Sequence, residues 1–152
     1  KMSANIEGLV ETSTNIGIVS LSEDEFFASS GVRSSVEAAR NALSDKIQYL
    51  TEFLGGEYEI QGAYPAWEYR KESPLRDKMV EVYETMYGQK PEVVAIHAGL
   101  ECGLFYKKID GLDCVSLGPD MKDIHTSEEV LDIASTERVW KYLVKVLEEL
   151  KD

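Results

Sequence analysis

Hydrophobic and polar positions change their period several times along this chain, and each change marks an element. Across Thr14 to Leu21, Ile16 and Ile18 alternate with Gly17 and Val19, the period of a strand. Ser22-Glu23-Asp24-Glu25 supplies turn residues and Phe26 to Arg33 resumes the strand, so the two runs predict a hairpin. A helix follows. Ser34 and Glu37 have capping-box spacing, Val36, Ala39, Leu43, Ile47, Leu50 and Leu54 share one face, and Gly55-Gly56 ends it. Tyr58 and Ile60, alternating with Glu57, Glu59 and Gln61, predict a half-buried strand. Residues 12–62 therefore read β-β-α-β, an antiparallel sheet with a helix on one face.

Gly62 to Glu72, with Pro65, Trp67 and mixed charges, is a boundary, and beyond it the pattern changes. Ser73 is a good N-cap with Pro74 in the first helical position. Leu75, Met79, Tyr83 and Met86 line a face until Gly88 and Pro91 stop the helix. Glu92 to Ile96 is a short apolar run that fits a strand buried on both faces. Gly99 leads into a short helix over Leu100 to Lys108, and Cys114 to Leu117 is another buried strand. After a loop, Ser135 caps a last helix with Val139, Leu143, Leu147 and Leu150 on its inner face. Residues 73–152 thus read α-β-α-β-loop-α, the alternation of an α/β layer. The fold class is α/β, in two architectures that meet near residue 70.

Composition narrows the partners. The 152 residues carry 16 Lys+Arg against 28 Asp+Glu, a formal charge of −12. Phosphate neutralisation needs clustered Lys and Arg, so neither nucleic acid nor an anionic membrane surface is an expected partner. No run approaches the roughly 18 apolar residues of a membrane span. Lys1 to Glu11 has no apolar h-region, so no signal peptide is expected. Cys102 and Cys114 are the only cysteines, without a CxxC, and a reducing cytoplasm is the expected compartment.

Two histidines, His97 and His125, limit what the chain can catalyse unaided. Both follow strand-like runs beside glycines, where α/β sheets usually bind ligands, and both also fit a polar turn niche. A self-contained zinc site needs three or four ligands, and His97, Cys102, Cys114 and His125 hold no short-spaced pair. Cys102, five residues past His97, reads more simply as a buried, inert thiol than as a nucleophile. Glu128-Glu129 and Glu148-Glu149 have the form of a general-base pair. Helix-start chemistry explains the first equally well, and a solvated helix face explains the second. Arg33 ends a strand within the small polar run Ser29 to Ser35, placed either to grip a carboxylate bidentately or to stand as an edge charge. Tyr64, Trp67 and Tyr69 fill a hinge, and no phosphate-binding glycine loop is present.

Four blocks carry a resemblance. Ala95-Ile96-His97-Ala98-Gly99-Leu100-Glu101-Cys102-Gly103-Leu104-Phe105 resembles the "IHAGLECGLF" block of bacterial aminoacyl-histidine (Xaa-His) dipeptidases, in the carnosinase-like group of di-zinc metallopeptidases. Gly8-Leu9-Val10-Glu11-Thr12-Ser13 with Asn15, and Gly62-Ala63-Tyr64-Pro65-Ala66-Trp67, agree in order and spacing. Gly118-Pro119 followed by His125-Thr126-Ser127-Glu128-Glu129 is similar to the family's "GP…HSPDE" stretch. The similarity covers essentially the whole chain.

The resemblance implies a carboxyl-terminal fragment. Residues 1–62 would be the end of an α+β lid domain that mediates dimerisation, and residues 63–152 the last segment of an α/β zinc-peptidase catalytic domain. The family's His-x-Asp motif, bridging aspartate and catalytic Glu-Glu pair belong to the preceding half, and none is present here. Residue by residue, His125 matches a ligand to one of two zinc ions, and Arg33 matches the lid arginine associated with the substrate carboxylate. Gly99, Leu100 and Glu101 match the loop lining the substrate end of the cleft, while His97 has no assigned role. Where the family has Pro-Asp, this chain has Ser127-Glu128.

The implied parent reaction is hydrolysis of Xaa-His and other dipeptides by a dimeric cytoplasmic enzyme with two zinc ions, or cobalt or manganese. Its partners would be the dipeptide and the N-terminal half of the same enzyme. This chain alone is expected to be inactive. The competing reading is a stand-alone, non-enzymatic α/β module for dimerisation or ligand binding. The opening on Lys1-Met2-Ser3 and the exposed edges of half a sheet favour the fragment.

Overall fold

In a computed structural model, described over residues 1–96 and 101–151, the chain is mixed α/β and divides into two compact units. The first unit takes in Lys1–Tyr69 and Val94–Leu112, the second Arg70–Val93 and Asp113–Asp152.

The first unit is built on a hairpin of β1 (Thr12–Leu21) and β2 (Phe26–Ser34), paired antiparallel from Thr12 opposite Ser34 to Leu21 opposite Phe26. The register shifts between Ile16 and Ile18, so Gly17 forms a bulge. At the tip the Ser22 hydroxyl accepts from the amides of Asp24 and Glu25, the polar turn expected there. At its base, Lys1 Nζ pairs at 2.8 Å with buried Glu11.

Helix α1 (Glu37–Phe53) follows β2, but not through the expected capping box. Its N-cap is Val36, which has no side-chain acceptor to offer. The Ser34 hydroxyl is shared instead between Thr12 Oγ1 at 2.9 Å and the Val36 amide at 3.1 Å, and Glu37 reaches away to Lys107 Nζ at 3.0 Å. That lysine, followed by Arg40, holds the Glu37 carboxyl below its usual range. Arg40 also donates to the Tyr64 carbonyl, and Ser44 and Tyr58 hydroxyls meet at 2.7 Å, which ties residues 58–64 to α1. Helix α2 (Pro74–Tyr87) belongs to the second unit, and α3 (Glu101–Lys108) to the first. Gly103 of α3 lies so close to the Pro65 carbonyl that a Cβ would stand 2.8 Å from it, so only glycine fits.

The second unit pairs α2 with α4 (Ile133–Glu149) around Met79, Val82, Tyr142 and Val146, with Leu75, Tyr83, Met86, Tyr87 and Val115 packed on them. The Tyr142 hydroxyl donates to the Met79 carbonyl at 2.7 Å, and its ring meets Tyr83 edge-on at 5.4 Å. The expected start and stop of α2 are present. Ser73 accepts from the Arg76 amide, Pro74 opens the helix, and Gly88 ends it at φ 72°. The last helix starts earlier than expected. Asp132 is its N-cap, while Ser135 is buried within the first turn, its hydroxyl accepting from the Asp120 amide at 2.8 Å. A two-residue ladder, β3 (Met121–Lys122) against β4 (Val130–Leu131), closes the loop before it.

The strands expected at Glu57 to Gln61, Glu92 to Ile96 and Cys114 to Leu117 are not formed. Alternation in the first and short apolar runs in the other two suit a strand, but a strand exists only when a neighbour completes its ladder. Among the described residues no ladder pairs them.

Asp113 anchors the N-terminus of α2, accepting from Ser73 Oγ at 2.7 Å and from the Leu75 amide at 3.0 Å. Burial alone would push its carboxyl up; the bonds from Ser73 and Leu75, then the charges of Arg70 and Arg76, outweigh it and hold the carboxyl below its usual range. A depressed folded value contributes stability above the unfolded value of about 3.9 that is lost as pH falls through the folded one. Thermal unfolding at pH 6 and pH 3 is therefore expected to show an acid loss that shrinks in Asp113→Ala. That variant is also expected to cost about 1 kcal/mol at pH 6, as a lost helix cap does.

Candidate functional site

The turn that carries His125 is held by a ladder and by several hydrogen bonds within it. The β3–β4 ladder closes it at Lys122 opposite Val130, and the Asp132 amide donates to the Asp120 carbonyl at 2.9 Å just outside. Within it, Asp123 has φ 52° and His125 has φ 67°, two non-glycine residues in the left-handed region that a Cβ disfavours. Thr126 does much of the stitching. Its hydroxyl donates to the Asp123 carbonyl at 2.7 Å and accepts from the Glu128 amide at 3.2 Å. The His125 amide donates to Glu129 Oε2 at 2.8 Å. His125 itself is exposed, so its imidazole is open to a ligand from outside this turn.

Glu129 acts differently from expectation. No helix begins at Glu128-Glu129; β4 starts at Val130 and α4 at Ile133, and the Glu129 carboxylate instead takes the amide of His125. The signal available in the sequence was a carboxylate four residues past the histidine.

The other expected site residues belong to the first unit. Arg33 is exposed on β2 opposite Ser13 and makes no ion pair among the described residues. Glu101 is the exposed first residue of α3. Gly99, Leu100 and His97 lie outside the described residues. Cys102 and Cys114 form no disulfide. Among the described residues no group of three or more His, Cys, Asp or Glu side chains is placed to hold a metal ion. The one imidazole among the described residues, that of His125, is by itself not the donor set of a zinc pair. None of the helices in the described residues is long and apolar enough to cross a membrane.

No protein-family model matches the chain. A cytosol non-specific dipeptidase of Escherichia coli K12 is 33% identical over 144 residues, covering 95% of this chain and 30% of the relative. The crystal structure of an aminoacylhistidine dipeptidase from Vibrio alginolyticus superposes with a TM-score of 0.84 at 35% identity, covering 100% of this chain and 31% of that one. The chain is a homologue of these dipeptidases. It spans less than a third of their length, and its fold corresponds to that of the Vibrio alginolyticus structure throughout that span.

Exposed surface is the other feature to set beside this dipeptidase homology. The chain exposes 11820 Å². Two separate globules sharing its 17.1 kDa equally would expose only about 9,300 Å² by the usual area-to-mass relation. Large apolar side chains are exposed in each unit, among them Leu21 (79% exposed) and Phe53 (86%) in the first, and Ile133 (83%) and Trp140, both on α4, in the second.

Proposed function

We propose that this chain is the carboxyl-terminal part of a zinc-dependent dipeptidase that hydrolyses Xaa-His and other dipeptides, and that it has no turnover by itself. The observation that carries this reading is a correspondence of 95% of this chain with one dipeptidase and 100% with another, under a third of each. The uncovered apolar surface supports the same reading, since it gives the remainder of such an enzyme something to bury.

In this reading residues 1–62 end the lid domain and residues 63–152 close the catalytic domain. His125 supplies one metal ligand, its exposed imidazole facing donors from the N-terminal half. Arg33, exposed and without an ion pair among the described residues, binds the substrate's carboxylate. Gly99, Leu100 and Glu101 line the substrate end of the cleft. The lid pairs two copies into a dimer, the metals are two zinc ions with cobalt or manganese as substitutes, and the compartment is the cytoplasm. The alternative, a stand-alone module for dimerisation or ligand binding, would have to cover the same apolar surface with a second copy or a partner.

The purified 152-residue chain, supplied with zinc and an Xaa-His dipeptide, is expected to release no free histidine above the blank. Chelator-sensitive release would contradict the proposal, because it would require a complete metal site within this chain.

A further inference from the structure

The turn around His125 holds an unfavourable backbone, and the bonds that stabilise it divide unequally. Those made by Thr126 join Asp123 to residues 126–129 and bypass His125. The bond that reaches His125 comes from four residues on, where Glu129 Oε2 accepts the His125 amide at 2.8 Å. A carboxylate accepting a backbone N–H makes a charge-assisted bond, stronger than its neutral counterpart. Glu129 is itself fixed by its amide, which donates to the Thr126 carbonyl, and by the ladder that starts at Val130. Glu128, next door, has an exposed side chain that makes no hydrogen bond or ion pair among the described residues, so acidity at this place is not what the turn requires.

We infer that Glu129 is the positioning residue of His125: by accepting its amide, it holds the histidine in the left-handed conformation and so sets the direction in which the imidazole leaves the turn. A rotation about φ swings the whole side chain, so a residue that works by presenting an imidazole to a partner depends on that angle being fixed. The functional consequence rests on the reading of His125 as a working residue of a dipeptidase; the geometric one does not. Glu129 touches neither substrate nor metal in this inference and acts through His125 alone.

Three variants of the gene product test it: Glu129→Ala, Glu129→Gln and Glu128→Ala. Crystal structures of each report φ at residue 125, and dipeptide turnover reports kcat and KM. In Glu129→Ala, His125 is expected to leave the positive-φ region and kcat to fall about 10–100-fold with KM little changed, the range seen when a residue that orients a ligand is removed. Glu129→Gln keeps an acceptor oxygen and is expected to retain φ and restore kcat to within a few-fold. Glu128→Ala is expected to match the unaltered protein in both readouts.

A Glu129→Ala protein with His125 still at positive φ would overturn the inference, as would a Glu129→Gln protein as impaired as the alanine variant. Failure of the dipeptidase reading looks different. His125 would then leave the left-handed region in Glu129→Ala while turnover stayed unchanged, which upholds Glu129 as the anchor of the turn and removes the role of His125 in the reaction.

Discussion

Replacing His125 with asparagine in the complete gene product is expected to lower kcat/KM for an Xaa-His dipeptide at least a hundredfold, a loss of about 2.7 kcal/mol or more. Removing a group that merely orients a metal ligand costs about 10–100-fold, so removing the ligand that His125 is proposed to be lies at or beyond the end of that range. Asparagine is chosen because it tolerates left-handed backbone better than other side chains, so at φ 67° it keeps the turn while deleting the imidazole. Alanine at the same place would combine loss of the ring with backbone strain and confuse the two. Metal analysis separates binding from turnover: the variant is expected to retain less zinc per chain than the unaltered enzyme. Full metal content with full activity would show that His125 is not a ligand.

The second large effect lies in the packing of α2 against α4. Tyr142→Ala removes a buried ring from a core of only four buried apolar side chains among the described residues. It also deletes the bond from its hydroxyl to the Met79 carbonyl and the edge contact with Tyr83. Large aromatic-to-alanine changes in cores cost about 3–5 kcal/mol. Domains are typically stable by only about 5–15 kcal/mol, so a substantial share of the second unit's stability is at stake. Tyr142→Phe keeps the ring and loses the hydroxyl bond, for a cost of about 1 kcal/mol. The midpoints of denaturant unfolding measure both, and near-equal midpoints for the two variants would show that the ring packs into nothing of consequence.

Legibility in the sequence followed the reach of the interactions. Signals confined to a few neighbouring residues were readable: Ser73 with Pro74, Gly88 at the end of α2, and the Ser22 turn between β1 and β2. Signals that depend on a distant partner were not. Ser34 and Glu37 have the right spacing for a capping box, yet Thr12 takes the Ser34 hydroxyl and Lys107 takes the Glu37 carboxylate. Asp132 and Ser135 are both capping residues, and what decides between them is the Asp120 amide that Ser135 satisfies. The runs at Glu57, Glu92 and Cys114 carry strand patterning without a ladder, and Ile60, Val93, Val94, Ile96 and Leu117 stand exposed, because apolar patterning does not supply the neighbour a ladder requires.

The candidate site was legible as residues and not as geometry. His125 stands out because the chain has only two histidines and because of the family block around it. Its left-handed backbone has no signature, since neither Asp123 nor His125 is a glycine, and the four-residue reach of Glu129 resembles the start of a helix that does not form.

The central claim is that this chain works as part of a larger dipeptidase. The mass of the gene product, read by immunoblot against this chain in the cells that carry the gene, tests it most directly. The account predicts a band far above 17.1 kDa, with dipeptidase activity travelling with it. A band at 17.1 kDa with no larger partner associated would contradict it and leave the module to act through binding or assembly alone.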